Sequence, residues 1–226
     1  MNTAFARPAA PAPALRGAGA ARRLPRLVAC AWLACLGGLA GSLPAQEAAG
    51  AAAADEGLVL LDSARSHAEF SVKVLWMFDV EGSFGHVNGH VRIDSAAGTG
   101  IVDARIDVNA VRMRRSGTEE WVKSEEFFDV ARHPEIRFLS DPFPLARLAE
   151  GGELPGSLGL RGIRSRVVFV LRPAGCARPG IECAVEASGT LRRAAFGMRS
   201  RKGTLADKVE LHLSVWLDEA VAARAP

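Results

Sequence analysis

Short segments in which apolar and polar side chains alternate residue by residue dominate this chain. Apolar or small residues occupy every second position in the segments 68–74, 87–93, 102–108, 185–191 and 209–217. Successive side chains of a β-strand point to opposite faces of the sheet, so this period of two predicts half-buried strands. Because the apolar face of each segment is mostly aliphatic, we expect these faces to meet in one core.

Glycine-rich and polar breaks separate these segments, at 95–100, 150–152 and 174–180. The pattern predicts an all-β domain of about eight antiparallel strands joined mostly by hairpins, either a closed barrel or a sandwich. We favour the barrel, because the segments 81–94 and 100–112 are long for a small sandwich. The first of them also contains glycines that suit bends at barrel corners, Gly82, Gly85 and Gly89. An eight-stranded barrel has room for one small ligand.

Segment 116–143 changes its apolar period at a single proline. Before the proline it is typical of a helix, since Ser116 and Glu119 fit a capping box and Trp121 and Phe128 recur on one face. After the proline the alternation resumes and predicts a strand. We therefore expect one short helical insertion in the barrel, with its two aromatic side chains closing one end.

The N-terminal segment has the anatomy of a secretory signal. Three arginines (Arg22, Arg23 and Arg26) precede an apolar run at 27–43, and small residues follow it. We expect residues 1–45 to be removed, residues 46–57 to form a flexible exported terminus, residues 58–218 to form the barrel domain and residues 219–226 to be a disordered tail. The mature protein would then be periplasmic or secreted. An uncleaved membrane anchor is the alternative, for which the apolar run is slightly short.

Removal of the signal also changes the charge of the chain. The whole chain has 28 basic and 25 acidic residues, but five of the arginines and none of the acids precede residue 46. The remaining chain carries 23 basic against 25 acidic side chains and lacks the positive charge that favours nucleic-acid binding. We expect no nucleic-acid partner.

Two of the four cysteines lie in the predicted signal, which leaves Cys176 and Cys183. These two bracket a loop that contains Pro179 and Gly180. In an oxidising compartment we expect them to form a disulfide that closes a hairpin. A redox-active pair is the alternative, but it would favour a C-x-x-C spacing.

Several short motifs, taken in order, resemble those of the YceI-like family, which is also described as polyisoprenoid-binding or lipid-binding. They are LD at 61–62, SHAEF at 66–70, VEGSF at 80–84, KSEEFFD at 123–129, HPEIRF at 133–138, GSL at 156–158, RG at 161–162 and RAAFGM at 193–198. The resemblance covers nearly all of residues 58–217. It implies an exported, eight-stranded, lipocalin-like barrel that holds a long apolar molecule, such as an isoprenoid quinone, an isoprenyl phosphate or a fatty-acyl compound.

The inward faces of the alternating segments contain no Asp, Glu, His or Lys, so the barrel interior lacks catalytic groups. We therefore expect a binding protein, not an enzyme, with no metal and no cofactor other than its apolar ligand. Burial of that ligand gains about 25 cal/mol per Å² of apolar surface. The side chains expected to line the cavity are Phe70, Val72, Val74, Trp76, Ile106, Val108, Phe138, Leu211 and Leu213.

Two other functions stay open at this point. An enzyme acting on a lipid phosphate would use polar groups at the barrel rim, namely Glu119, Glu120 and the arginines near Arg193. A structural or envelope-stress protein would instead have a completely filled barrel.

A basic stretch and an apolar turn are candidates for contacts outside the cavity. Arg193, Arg199 and Arg201 could bind a charged head group or make transient contact with a membrane surface; a solvated hairpin is the alternative. The turn at 75–78 has the sequence LWMF, which is costly to expose. A lid over the cavity, a membrane-dipping tip and a cap folded back on the core would each account for it.

Overall fold

Antiparallel β-strands make up most of the computed structural model, which describes residues 56–115 and 117–218. The strands are β1 (Glu56–Leu60), β2 (His67–Val74), β3 (Phe78–Gly85), β4 (Asn88–Asp94), β5 (Thr99–Asp107), β6 (Val111–Met113), β7 (Glu135–Ser140), β8 (Phe143–Pro144), β9 (Gly152–Leu160), β10 (Ile163–Leu171), β11 (Val185–Arg192) and β12 (Leu205–Val215). The helices are α1 (Glu119–Lys123) and α2 (Arg147–Glu150). The predicted all-β fold with a helical insertion before β7 is confirmed, and α2 is a helix that the sequence pattern did not predict.

The strands form one antiparallel sheet that closes on itself. Hydrogen-bonded neighbours follow the order β4, β5, β7, β9, β10, β11, β12, β2 and β3. The first and last strands of this path are consecutive in the chain and separated only by His86 and Val87, so the path ends where it began. The same long strand formed by β3 and β4 has two neighbours. On one side β2 pairs with β3 and β1 pairs with β4; on the other side β6 pairs with β3 and β5 pairs with β4.

Eight long strands account for this closed sheet, as the sequence predicts, but four of them are interrupted once. The interrupted strands are β1 with β2, β3 with β4, β5 with β6, and β7 with β8. Aspartate side chains shape two of the breaks: the carboxylate of Asp62 accepts from the backbone N–H groups of Ala64 and Arg65, and that of Asp107 accepts from the N–H of Asn109. Such local hydrogen bonds compete with the backbone hydrogen bonds between strands and so interrupt them. With four of the eight long strands divided in two, the barrel has twelve strand segments.

Gly89 lies beside the break between β3 and β4. Its φ angle is 144°, in a region that residues with a Cβ rarely adopt. A Cβ at this position would overlap the carbonyl oxygen of Asp103 on β5 and would lie 2.9 Å from the Cα of Ala104. The bend and the close approach of β4 to β5 both depend on glycine here.

The inward faces of the alternating segments form the core. Val87, Val108 and Val111 are fully buried. One group of core side chains surrounds the helical insertion and includes Phe127, and another lies around Phe143 on β8. The period of two therefore identified core residues in the alternating segments, although Asp103 on the outward face of β5 is buried as well.

The helical insertion is shorter than its sequence pattern suggested. Ser116, the predicted N-cap, lies outside the described residues, and Thr118 stands at the N-cap position without a side-chain capping bond. The helix ends at Lys123, and the N–H and Oγ of the C-cap residue Ser124 both donate to the carbonyl oxygen of Trp121. Phe128 therefore lies in the turn that follows the helix, not on the helix itself.

Cys176 and Cys183 form the predicted disulfide, with their Cα atoms 6.1 Å apart. The loop that they close connects β10 to β11, and the N–H of Gly180 donates to the carbonyl oxygen of Cys183 within it. The predicted signal at 1–45, residues 46–55 of the terminus predicted at 46–57, and the tail at 219–226 lie outside the described residues. The last two residues assigned to that terminus, 56 and 57, belong to β1, because the strand starts earlier than the sequence pattern indicated. Among the residues that are described, no helix has the length and apolar character needed to span a membrane.

Candidate functional site

The barrel encloses a cavity of about 150 Å³. Its wall consists of inward side chains from the strands and side chains of the helical insertion. All but two of the lining residues are apolar; the exceptions are Glu69, which is exposed and belongs to the outward face of β2, and Arg193. A cavity of about this volume accommodates a benzene-sized group. The interior is therefore not completely filled, in contrast to the expectation for a purely structural barrel.

Phenylalanine rings narrow the cavity. Phe70, Phe84 and Phe128 form a cluster with ring centroids 5.4 to 6.0 Å apart. The ring of Phe70 lies over Gly82 on the neighbouring strand β3, where a Cβ would overlap it. Gly82 thus lets the ring lie against the barrel wall and leaves space at the centre.

Six of the nine predicted lining residues surround this cavity: Phe70, Val72, Ile106, Phe138, Leu211 and Leu213. Val74 and Val108 pack in the adjoining core instead. Trp76 does not face the cavity, since its side chain is 83% exposed in the turn between β2 and β3. Leu75 and Trp76 have φ angles of 48° and 65°, which are typical of a tight hairpin turn. The prediction for Trp76 is therefore wrong.

The helical insertion closes one end of the barrel. Trp121 and Phe127 pack edge to face with centroids 4.4 Å apart. The indole Nε1 of Trp121 donates to the carboxylate of Glu126, which also accepts from Nε of Arg201 at 2.8 Å. Trp121 and Phe128 both line the cavity from this end, so the predicted aromatic closure is present although the helix is short.

Arg193 is a buried cation at the same end, only 5% exposed. Its Nε donates to the carbonyl oxygen of Ala206 at 2.9 Å, and Nη2 donates to that of Leu205 at 3.2 Å. Its Nη1 is buried and has no hydrogen-bond partner among the described residues. Burial lowers the pKa of Arg193, and the negative charge of Asp207 opposes that effect. A buried donor without a partner costs about 1–3 kcal/mol, so this nitrogen favours an added acceptor.

The buried carboxylates of this barrel are paired, unlike Arg193. Asp103, on the outer wall, accepts from Nε of Arg137 at 2.9 Å, and this hydrogen bond is the main reason that its pKa is lowered. Asp129 lies 3.3 Å from Nε of Arg132. Within the described part of the chain, Nη1 of Arg193 is thus the buried side-chain polar atom left without a partner.

Arg193 also borders a surface depression outside the cavity, which Arg199 and Lys202 line as well, together with one acid, Asp207. We call this the basic depression. Arg199 and Lys202 are exposed, and neither forms an ion pair with any described residue. Two of the three predicted head-group residues, Arg193 and Arg199, therefore lie together. Arg201 does not line the depression, because its guanidinium is held by Glu126.

Glu119 and Glu120, the acids considered for an enzymatic site at the barrel rim, do not lie with Arg193 and Arg199 in the basic depression. Glu119 accepts from the backbone N–H of Met113 at 3.2 Å, and backbone N–H groups hold its pKa below the usual range of glutamate. Glu120 lies 3.5 Å from Nζ of Lys123. Neither acid lines the cavity or the basic depression. Across residues 56–115 and 117–218, no three His, Cys, Asp or Glu side chains are grouped so as to hold a metal ion.

Sequence reasoning missed lining residues outside the strands, among them Val122 on the short helix α1 and Phe127 and Met198 in irregular segments. A signal for Met198 was present, because Phe196-Gly197-Met198 interrupts a basic stretch with apolar residues. Phe196 and Met198 are in fact 1% and 5% exposed, so this loop packs into the barrel end. No period marks such residues, since they belong to neither a strand nor a long helix.

Comparison with known proteins identifies a family and several relatives with similar sequences. The family model described as YceI-like domain matches residues 60–217. A UPF0312 protein of Yersinia enterocolitica is 27% identical over 171 residues, which cover 74% of this chain and 88% of the relative. A UPF0312 protein of Pectobacterium carotovorum is 26% identical over 155 residues, which cover 65% of this chain and 78% of the relative.

Two solved structures share the fold. A polyisoprenoid binding domain from Saccharophagus degradans, implicated in plant cell wall breakdown, has a TM-score of 0.53 and 14% identity over 71% of this chain and 97% of its own. Burkholderia cenocepacia BcnA has a TM-score of 0.54 and 21% identity over 69% of this chain and 98% of its own. At 14% and 21% sequence identity, these two structures show that the fold is shared and nothing more.

Proposed function

The chain belongs to the YceI-like family, and on that premise we propose that it binds a long apolar ligand, such as an isoprenoid or fatty-acyl compound, inside its barrel. The observation that carries the proposal is the internal cavity, whose lining residues are apolar except for Glu69 and Arg193. Burial of an apolar chain there gains about 25 cal/mol per Å². The solved relative from Saccharophagus degradans is described as polyisoprenoid binding, which supports the same ligand class.

A cavity of about 150 Å³ holds only part of such a ligand, so binding must widen it. The cluster of Phe70, Phe84 and Phe128 borders the free space, and Phe128 lies in the irregular turn after α1. We expect these rings to move aside as the chain enters. Each methylene group that becomes buried contributes about 0.8 kcal/mol, which offsets the displacement of the rings.

We further propose that the polar end of the ligand lies at Arg193. Arg193 lines both the apolar interior and the basic depression, so an oxygen atom of a ligand bound there would supply the acceptor that Nη1 lacks. An anionic oxygen suits this position best, because it would also compensate the cost of burying the guanidinium. The apolar tail would then extend along the barrel axis.

Export from the cytoplasm is part of the proposal. The N-terminal segment 1–45 has the pattern of a secretory signal. The disulfide between Cys176 and Cys183 is in keeping with an oxidising compartment, where such bonds persist. The protein would there take up an apolar molecule, shield it from water and release it without covalent chemistry.

Mass spectrometry of an organic extract tests this function. Protein purified from its native host should release a compound with a long apolar chain, and the denatured protein should retain none of it. After incubation of that compound with the protein, its mass should be unchanged. A changed mass would replace the binding function with an enzymatic one, and an extract without any apolar compound, together with no binding of added prenyl or acyl chains, would contradict the proposal.

Substitution of Arg193 by methionine tests the head-group contact. Dodecyl phosphate and dodecyltrimethylammonium share a tail but differ in charge, and calorimetric titration gives the ratio of their affinities. We expect the native protein to favour the phosphate by about tenfold or more, since a charge-assisted hydrogen bond is worth about 1.5–3 kcal/mol. Arg193→Met should lose most of this preference, because the buried donor is gone.

Arg199→Met is the matched control for that substitution. It removes a positive charge from the basic depression but leaves the buried donor in place, so most of the preference for phosphate should remain. The ratio is taken within each variant, which cancels any loosening of the loop that Arg193 also holds. An unchanged ratio in Arg193→Met would place the head group elsewhere.

A further inference from the structure

Four consecutive large apolar side chains are exposed at the turn between β2 and β3. Leu75, Trp76, Met77 and Phe78 are 48%, 83%, 74% and 61% exposed. We call residues 75–78 the apolar tip. The N–H of Met77 donates to the carbonyl oxygen of Val74 at 3.2 Å, and the left-handed backbone of Leu75 and Trp76 keeps the turn tight. The tip is therefore neither a lid over the cavity nor a cap on the core.

Positive charge lies beside the apolar tip. The N–H of Leu75 donates to the carbonyl oxygen of Thr204 at 2.8 Å, which ties the tip to the loop that carries Arg199 and Lys202. These two exposed cations form no ion pair with any residue in the described ranges. At the base of the tip, Lys73 and Asp79 pair at 2.9 Å and neutralise each other. The local surface thus combines an apolar projection with a net positive flank.

We propose that the apolar tip docks the protein on the surface of a lipid bilayer that contains anionic lipids. Tryptophan and its apolar neighbours are favoured at the boundary between head groups and acyl chains. Each Lys or Arg near an anionic surface strengthens attachment further. The positive charge beside the tip favours an anionic lipid surface over an uncharged apolar groove on another protein.

The docking surface lies at the cavity end that contains Arg193. The loop 197–204 connects Arg193 to the apolar tip, and the helical insertion closes the same end through Glu126 and Arg201. A docked protein would therefore turn its basic depression and the insertion toward the membrane, where a long apolar molecule resides. This inference goes beyond ligand binding and does not depend on it.

Sedimentation with lipid vesicles tests the docking surface. The mature chain is mixed with vesicles of phosphatidylcholine alone or of phosphatidylcholine and phosphatidylglycerol in a two-to-one mixture. We expect binding to the mixed vesicles to exceed binding to the neutral ones by about tenfold, because of the two free cations. A double variant with Trp76→Asn and Met77→Ser should lose at least about tenfold in binding to the mixed vesicles. Asparagine is chosen since it tolerates the left-handed conformation.

Val168→Ser with Val170→Ser is the matched control. These valines are 47% and 49% exposed on the barrel wall, so the variant removes exposed apolar surface away from the tip and should bind as the native protein does. Equal vesicle binding by the tip variant and the native protein would overturn the proposal. So would a dimer of the native protein, seen by sedimentation velocity, that the tip variant converts to monomers. Vesicle binding needs no ligand uptake, so either function can fail while the other stands.

Discussion

Replacing Gly89 with alanine is expected to lower the free energy of unfolding by about 4 kcal/mol, a large part of the stability of a domain this size. Two effects add at this position. The φ angle of 144° strains any residue that has a Cβ, and the new methyl group would overlap the carbonyl oxygen of Asp103. Neither β4 nor β5 can retreat easily, because each is hydrogen-bonded to a further strand of the closed barrel. Urea titration followed by far-ultraviolet circular dichroism measures the change.

Gly85→Ala is the matched control for this prediction. Gly85 belongs to the same long strand, lacks a positive φ angle, and has no heavy atom within 4 Å of the position that a Cβ would take. Its substitution should change the stability by no more than about 0.5 kcal/mol. If the two alanine variants unfold at the same urea concentration, the bend at Gly89 does not constrain the barrel as described.

The closed barrel could be predicted because its determinants are local in sequence. Alternation reports which face of a strand is buried, and it does so at Phe70 and Ile106, which both face the cavity. Three glycines of the long segment 81–94 were predicted to suit bends. Gly89 lies at one, whereas Gly82 lies within β3 and makes room for the ring of Phe70. Two of the four interruptions contain side-chain hydrogen bonds, those of Asp62 and Asp107 to nearby backbone N–H groups, which the apolar period does not encode.

The candidate site was harder to predict, because two of its features depend on tertiary structure. Trp76 continues the alternation of β2 beyond Val74, so the pattern placed it inside, but a tight turn carries it into solvent. The basic stretch contains one buried and several exposed cations, and Arg193 is distinguished by its burial in the turn 193–196, where Phe196 is buried as well. An unpaired Nη1 is a property of the surrounding atoms, so no sequence pattern reports it.

Replacing Ile106 with tryptophan is expected to weaken the binding of a long apolar ligand by about 100-fold or more. Ile106 lines the cavity from β5, and an indole ring would take up much of a space of about 150 Å³. Exclusion of three or four methylene groups at about 0.8 kcal/mol each amounts to about 3 kcal/mol, which corresponds to that loss. Fluorescence titration with cis-parinaric acid measures the affinity, and urea titration should show that the fold survives at a cost of about 1–3 kcal/mol.

Ile101→Trp provides the matched control on the same strand. Ile101 lies on the opposite face of β5, since it is five residues from Ile106, and it does not line the cavity. The same side chain is introduced there, but the interior volume is unchanged, so the affinity should stay within about twofold of the native value. Because both variants carry one added indole, a difference between them reports the cavity itself. Undiminished binding by Ile106→Trp would mean that the apolar chain lies outside the barrel, and the proposed binding function would then lose its physical basis.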